Sequence, residues 1–174
     1  MRATRTTAIV ACHHGFTLVE LIMVMVILGI IAATGAQMMG NGFKAYFTGR
    51  NITEMDGQAR VALERMTREL RSVRAPADLT LLPANRITFV DVDGNVISYC
   101  MGAVGGCPGV AGDLTRNAQP LSSGISNLAF TYLDRAASAT AAASAVYYIG
   151  VSFTATQGTI NKPYQATVSP RNFP

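Results

Sequence analysis

Hydrophobic residues follow one pattern in the first third of this chain and another beyond it. From residue 16 to 36 the run FTLVELIMVMVILGIIAATGA carries a single charge, Glu20, and residues 21–33 hold no polar side chain. About twenty apolar residues at about 1.5 Å rise each cross a hydrocarbon core of about 30 Å, so this segment predicts a membrane-spanning helix. From Asn51 onward Ile52, Met55, Ala59, Ala62, Leu63, Met66, Leu70 and Val73 recur at three- and four-residue steps, which predicts one buried helix face. Between the two stretches lie Gly35, Gly40, Gly42 and Gly49. At about 1 kcal/mol each relative to Ala, they predict a weak helix open to local unwinding. Pro76 is expected to end the helix.

Past Pro76 the period falls to two. RITFVDV (86–92) and NVISYCM (95–101), joined at Asp93-Gly94, read as a hairpin. ISNLAFTYL (125–133), AVYYIGVSFTAT (145–156) and YQATVSP (164–170) add three further strands. GAVGGCPGVAG (102–112) and AASATAAASA (136–145) read as loops. The expected fold is α+β: a long N-terminal helix over 16–74 whose C-terminal half covers a mostly antiparallel sheet built from 75–174.

Charge adds an orientation. The net charge is +4, and two of the positive charges, Arg2 and Arg5, precede the apolar run with no acid among them. The positive-inside rule then predicts a cytoplasmic N-terminus, with the region beyond residue 36 outside. What remains is too small a charge to argue for nucleic acid. Arg60, Arg65, Arg68, Arg71 and Arg74 do form a basic helix face, interleaved with Glu64 and Glu69. Glu64 four residues before Arg68 predicts an ion pair in the favourable order. The face is read as solvated surface or a subunit contact, with a DNA-binding tip subunit as the alternative. In an oxidising compartment Cys100 and Cys107 predict a disulfide closing the Gly-rich loop; the alternative is two free thiols.

The position of Glu20 decides between export signals. Cleavage at AATGA (32–36) would leave the carboxylate inside a signal peptide's hydrophobic region, and a lipoprotein site at IVAC (9–12) is preceded only by MRATRTTA, which holds no hydrophobic region. A cut between Gly15 and Phe16 keeps the apolar run on the mature chain. Here GFTLVEL (15–21) resembles the prepilin peptidase site of type IV pilins and type II secretion pseudopilins. The resemblance implies a leader over residues 1–15, cleavage after Gly15, N-methylation of Phe16, and a role for Glu20 in pairing with the terminal amine of an adjacent subunit during assembly. It implies a type IV pilin-like fold, with residues 16–36 as the transmembrane and assembly segment of the helix. It also implies as partners the prepilin peptidase, other major and minor pilin or pseudopilin subunits, and an inner-membrane assembly platform. QARVALERMTRELRSVR (58–74), DLTRNAQPLSSGISNLAFTYLD (113–134) and SPRNFP (169–174) resemble the minor-subunit branch that includes PilW-type, MshO-type and GspJ-type proteins.

The same residues bear on catalysis. Both histidines, His13 and His14, fall in the leader, so the mature chain lacks the base for a Ser-His-Asp or Cys-His site and any histidine metal ligand. The cysteines are spaced C-x6-C without a second pair, which argues against zinc. Asp91, Asp93 and Asn95 are similar to the start of a calcium loop, but Gly94 comes too early and strand residues follow, so they read as a hairpin turn. No enzyme activity, cofactor or metal is expected. The rival reading is a signal-anchored periplasmic binding module that does not polymerise.

Overall fold

The computed structural model describes residues 15–81 and 84–173. Most of the expected leader, with Cys12, His13 and His14, lies outside the described residues. One helix, α1, runs Leu18–Arg71, and the chain divides into two compact units at Phe47 and Thr48, within that helix.

In the first unit every described residue is exposed. An 18-residue window reaches a mean hydropathy of 2.5, so the helix is long and apolar enough to cross a membrane. The glycine-containing stretch expected to unwind is helical throughout. Glycine lowers helix propensity but keeps its amide, so the i to i−4 ladder continues. The Thr34 hydroxyl adds hydrogen bonds to the carbonyls of Ile30 and Ile31, at 3.1 and 3.0 Å.

In the second unit α1 buries Met55, Ala59, Ala62, Met66 and Leu70. The spacing is that of the expected stripe, with Ile52 and Leu63 partly buried at its edges. The helix stops at Arg71, before the proline. The Ser72 amide and hydroxyl both donate to the Glu69 carbonyl, at 3.0 and 2.8 Å, which tightens the last turn. Val73 then leaves as an antiparallel bridge to Asp91, and Pro76 opens a 3-10 turn, Pro76–Asp78.

Eight strands follow among the described residues, in two antiparallel sheets where about five strands in one sheet were expected. The first sheet is a meander of β1 (Leu79–Leu81), β2 (Arg86–Val90), β3 (Val96–Met101), β4 (Leu114–Arg116) and β5 (Gln119–Ser122). The second is β6 (Ile125–Leu133), β7 (Tyr148–Gln157) and β8 (Ile160–Val168). The additional elements are β1 and the β4–β5 hairpin, each strand only three or four residues long. Such strands are too short for alternation to register, and the β4–β5 turn carries no glycine signal. Asn117 and Ala118 occupy it at φ +48 and +68, the pair of positive values a type I′ turn requires. Asn117 is held there by the Ser98 amide, which donates to its Oδ1 at 2.7 Å.

Ile87, Phe89, Ile97 and Tyr99 from the first sheet join Phe130, Ile149, Val151 and Phe153 from the second in one core with the α1 stripe. Ala59 and Ala62 are fully buried, small enough to let the sheet residues approach the helix closely.

Candidate functional site

Gly15 and Phe16 lead directly into α1. Thr17 caps it: the Glu20 amide donates to Thr17 Oγ1 at 3.2 Å, and the Leu21 amide donates to the Thr17 carbonyl at 3.2 Å. Thr17 and Glu20 thus stand in the T-x-x-E spacing of a capping box, with the carboxylate in the first helical turn, where the helix dipole favours it. The capping threonine escaped the sequence reading, although its T-x-x-E signal is present. Phe16 is 79% exposed. Around Gly15 an added Cβ would meet no heavy atom within 4 Å. Packing among the described residues therefore sets no demand for glycine at 15.

From Leu18 to Ile31 every large apolar side chain is between 46% and 75% exposed. This surface far exceeds what a monomer leaves bare in water, and it needs lipid or other helices to cover it.

On the sheet side, Cys100 on β3 is disulfide-bonded to Cys107, with Cα atoms 6.1 Å apart. The Thr115 hydroxyl donates to the Cys100 carbonyl at 3.1 Å, and Arg86 Nη2 lies 3.1 Å from Cys107 Sγ. The loop folds back tightly: a Cβ at Gly102 would sit 2.3 Å from the Val110 carbonyl oxygen, and Gly109 holds φ +112. Both positions require glycine.

The hairpin residues Asp91, Asp93 and Asn95 form a closed turn. Asp91 accepts the amides of Asn95 and Asp93 at 2.8 and 3.0 Å, and the Asn95 side chain at 3.1 Å. The Asn95 amide, with these other donors, lowers the Asp91 carboxyl below its ordinary pKa against the effect of burial.

Two carboxylates tie α1 to the sheets. Asp56 accepts hydrogen bonds from Lys162 and Tyr164 on β8 and from Arg60 on its own helix. The hydrogen bond from Lys162, then those from Tyr164 and Arg60, hold its pKa far below the carboxylate range. Burial, then the bond to Asp56, pushes Tyr164 up to about 12. Glu69 accepts from Tyr99 at 2.6 Å, Arg116 at 2.8 Å and Arg65 at 3.0 Å. Burial raises the Glu69 pKa, but the hydrogen bonds from Arg116, Tyr99 and Arg65 outweigh it and the net shift is downward.

The basic helix face is accordingly not one surface. Arg60, Arg65 and Arg74 are held by Asp56, Glu69 and Asp78. The pair expected between Glu64 and Arg68 is not among the ion pairs of the described residues.

Residues 11–36 match the family model of the prokaryotic N-terminal methylation motif. Neither the curated proteins nor the solved structures offer a match to the chain. The matched segment takes in Gly15, Phe16 and Glu20 and opens a long apolar helix, as in a membrane-anchored, processed protein of the prepilin type. The match is confined to this segment; the long helix packed on antiparallel sheets beyond it is consistent with an α+β fold of the type IV pilin kind.

Proposed function

We propose that the chain is a minor pilin or pseudopilin, a structural and non-catalytic subunit of a type IV pilus of the MSHA-like kind or of a type II secretion pseudopilus. Prepilin peptidase cuts after Gly15 and methylates the Phe16 amine. Residues 16–36 hold the chain in the inner membrane, with the N-terminus cytoplasmic and the β domain of 75–174 periplasmic. The assembly platform then transfers the helix from lipid into a filament.

The observation that carries this reading is the methylation-motif match over residues 11–36, on a helix whose large apolar side chains from Leu18 to Ile31 are all exposed. A carboxylate at the centre of a membrane helix costs on the order of 2.5–3.5 kcal/mol on insertion scales; Glu20, one turn from the new N-terminus, meets less of that cost near the interface, and needs its partner once the helices bundle away from water. A Phe16 amine freed by cleavage on an adjacent subunit supplies that partner for Glu20 and fixes the axial register between helices. The intact mass of the chain recovered from its native membranes tests the proposal. Loss of residues 1–15 with a methylated Phe16 supports it, whereas retention of those residues returns the reading to a signal-anchored binding module.

A further inference from the structure

The second unit carries an open groove of about 600 Å³ where the last turn of α1 meets the C-terminal segment. Arg68 and Arg71 enter it from the helix and Arg171 from the other end of the chain. Arg171 is brought there by backbone: its amide donates to the Arg71 carbonyl at 3.1 Å, the Asn172 side chain donates to the Val73 carbonyl at 3.2 Å, and Phe173 beyond them is buried. Among the described residues none of the three arginines has a carboxylate within ion-pair distance, although Arg60, Arg65, Arg74, Arg116 and Lys162 all have one. Compensation of the helix dipole accounts for basic residues in the last turn, but not for a third guanidinium delivered from a hundred residues further along the chain.

We infer that this groove docks side-chain carboxylates of a neighbouring filament subunit. Guanidinium forks grip carboxylates and phosphates alike, so the rest of the lining selects between them. Val92, 53% exposed, supplies an apolar wall, and the Glu64 carboxylate stands in the lining beside the arginines. The Val92 wall suits the methylene stems that carry a peptide's carboxylates, which a phosphodiester chain does not offer, while Glu64 opposes either anion alike. Asn172, which donates from its side-chain amide to the Val73 carbonyl, also carries an amide oxygen able to accept a peptide N–H. The inference rests on the pilin reading and names the chemistry of one of its contacts.

The test uses the full chain in detergent micelles, with a labelled oligoglutamate and a single-stranded oligonucleotide of matched charge as probes. The oligoglutamate is expected to bind more tightly. Its binding is expected to weaken ~10-fold in Arg68→Gln/Arg171→Gln and to be unchanged in Arg60→Gln, whose guanidinium is already paired. Arg71→Gln alone repeats the measurement in a second background, and melting curves on each variant confirm folding. Tighter binding of the oligonucleotide, equal loss in Arg60→Gln, or no oligoglutamate binding by the wild-type chain overturns the assignment. The mass of the processed subunit is read separately, so failure of the groove and failure of the pilin reading are told apart.

Discussion

Arg116 on β4 donates to the Glu69 carboxylate on α1 at 2.8 Å, and the same carboxylate takes the Tyr99 hydroxyl at 2.6 Å. Tyr99 is fully buried, and burial followed by its bond to Glu69 drives its hydroxyl pKa upward. The helix is thus fastened to the first sheet by a charged, half-buried network at the edge of the apolar core, into which only Tyr99 reaches.

Removing that carboxylate should cost more than a surface ion pair would. Glu69→Ala leaves the Tyr99 hydroxyl and the Arg116 guanidinium without their acceptor, an expected loss of about 2–3 kcal/mol. Urea unfolding of the wild-type and variant chains in the same micelles checks this; a change within the scatter of surface substitutions would remove the network's stabilising role.

The same carboxylates set an acid limit. Asp56, Glu69 and Asp91 all have folded pKa values below their ordinary ones, 3.8 for Asp and 4.5 for Glu. Their contribution is therefore complete above those ordinary values and is lost as pH falls through the lowered folded ones. Stability of the second unit should be flat from neutral pH down to about 5 and then decline steeply. Denaturation midpoints across that range, followed in the wild-type chain and in Asp56→Asn, should show a shallower decline in the variant.

Opening the disulfide should loosen the glycine loop while leaving the fold assembled. Closing a ring of this size removes about 2–3 kcal/mol of unfolded-state entropy, so Cys100→Ser/Cys107→Ser or added reductant should lower stability by about that amount. Amide exchange should quicken first over residues 102–112, since β3 keeps its pairing with β2 on its other side.

Much of this arrangement was legible in the residues. The α1 stripe is a strong 3.6-residue signal, and Asp93-Gly94 announces its hairpin. The β4–β5 hairpin was hidden because its turn uses Asn117 and Ala118, and Ala carries no turn signal. The Glu69 network was hidden for a different reason. Arg65 is four residues from Glu69 along the helix, whereas Tyr99 and Arg116 reach it only because β3 and β4 stack beneath α1, a relation that periodicity does not encode. At the N-terminus, attention to Glu20 as a lone charge concealed Thr17, whose spacing to Glu20 is itself a recognised helix start.

Gly15 should matter to processing and not to folding. A Cβ added there meets no heavy atom of the described residues within 4 Å, so Gly15→Val is expected to leave the melting of the second unit unchanged. If the peptidase needs close approach to the backbone at the cut, the variant should accumulate as uncleaved precursor, read by intact mass. Normal cleavage would show that glycine is dispensable at the site.

Glu20 has two candidate roles that one substitution separates. As the third helical residue of a capping box it can be replaced by Gln, since either side chain can reach back to the N-cap amide. As the partner of a protonated amine in lipid or in a helix bundle it cannot, because Gln carries no charge. Glu20→Gln is therefore expected to keep α1 helical by circular dichroism and to leave cleavage after Gly15 intact, while incorporation into filaments falls to the level of Glu20→Ala. Incorporation at the wild-type level in Glu20→Gln, with failure only in Glu20→Ala, would assign the residue to capping alone and leave the axial register to be set by the packing of the apolar helix face.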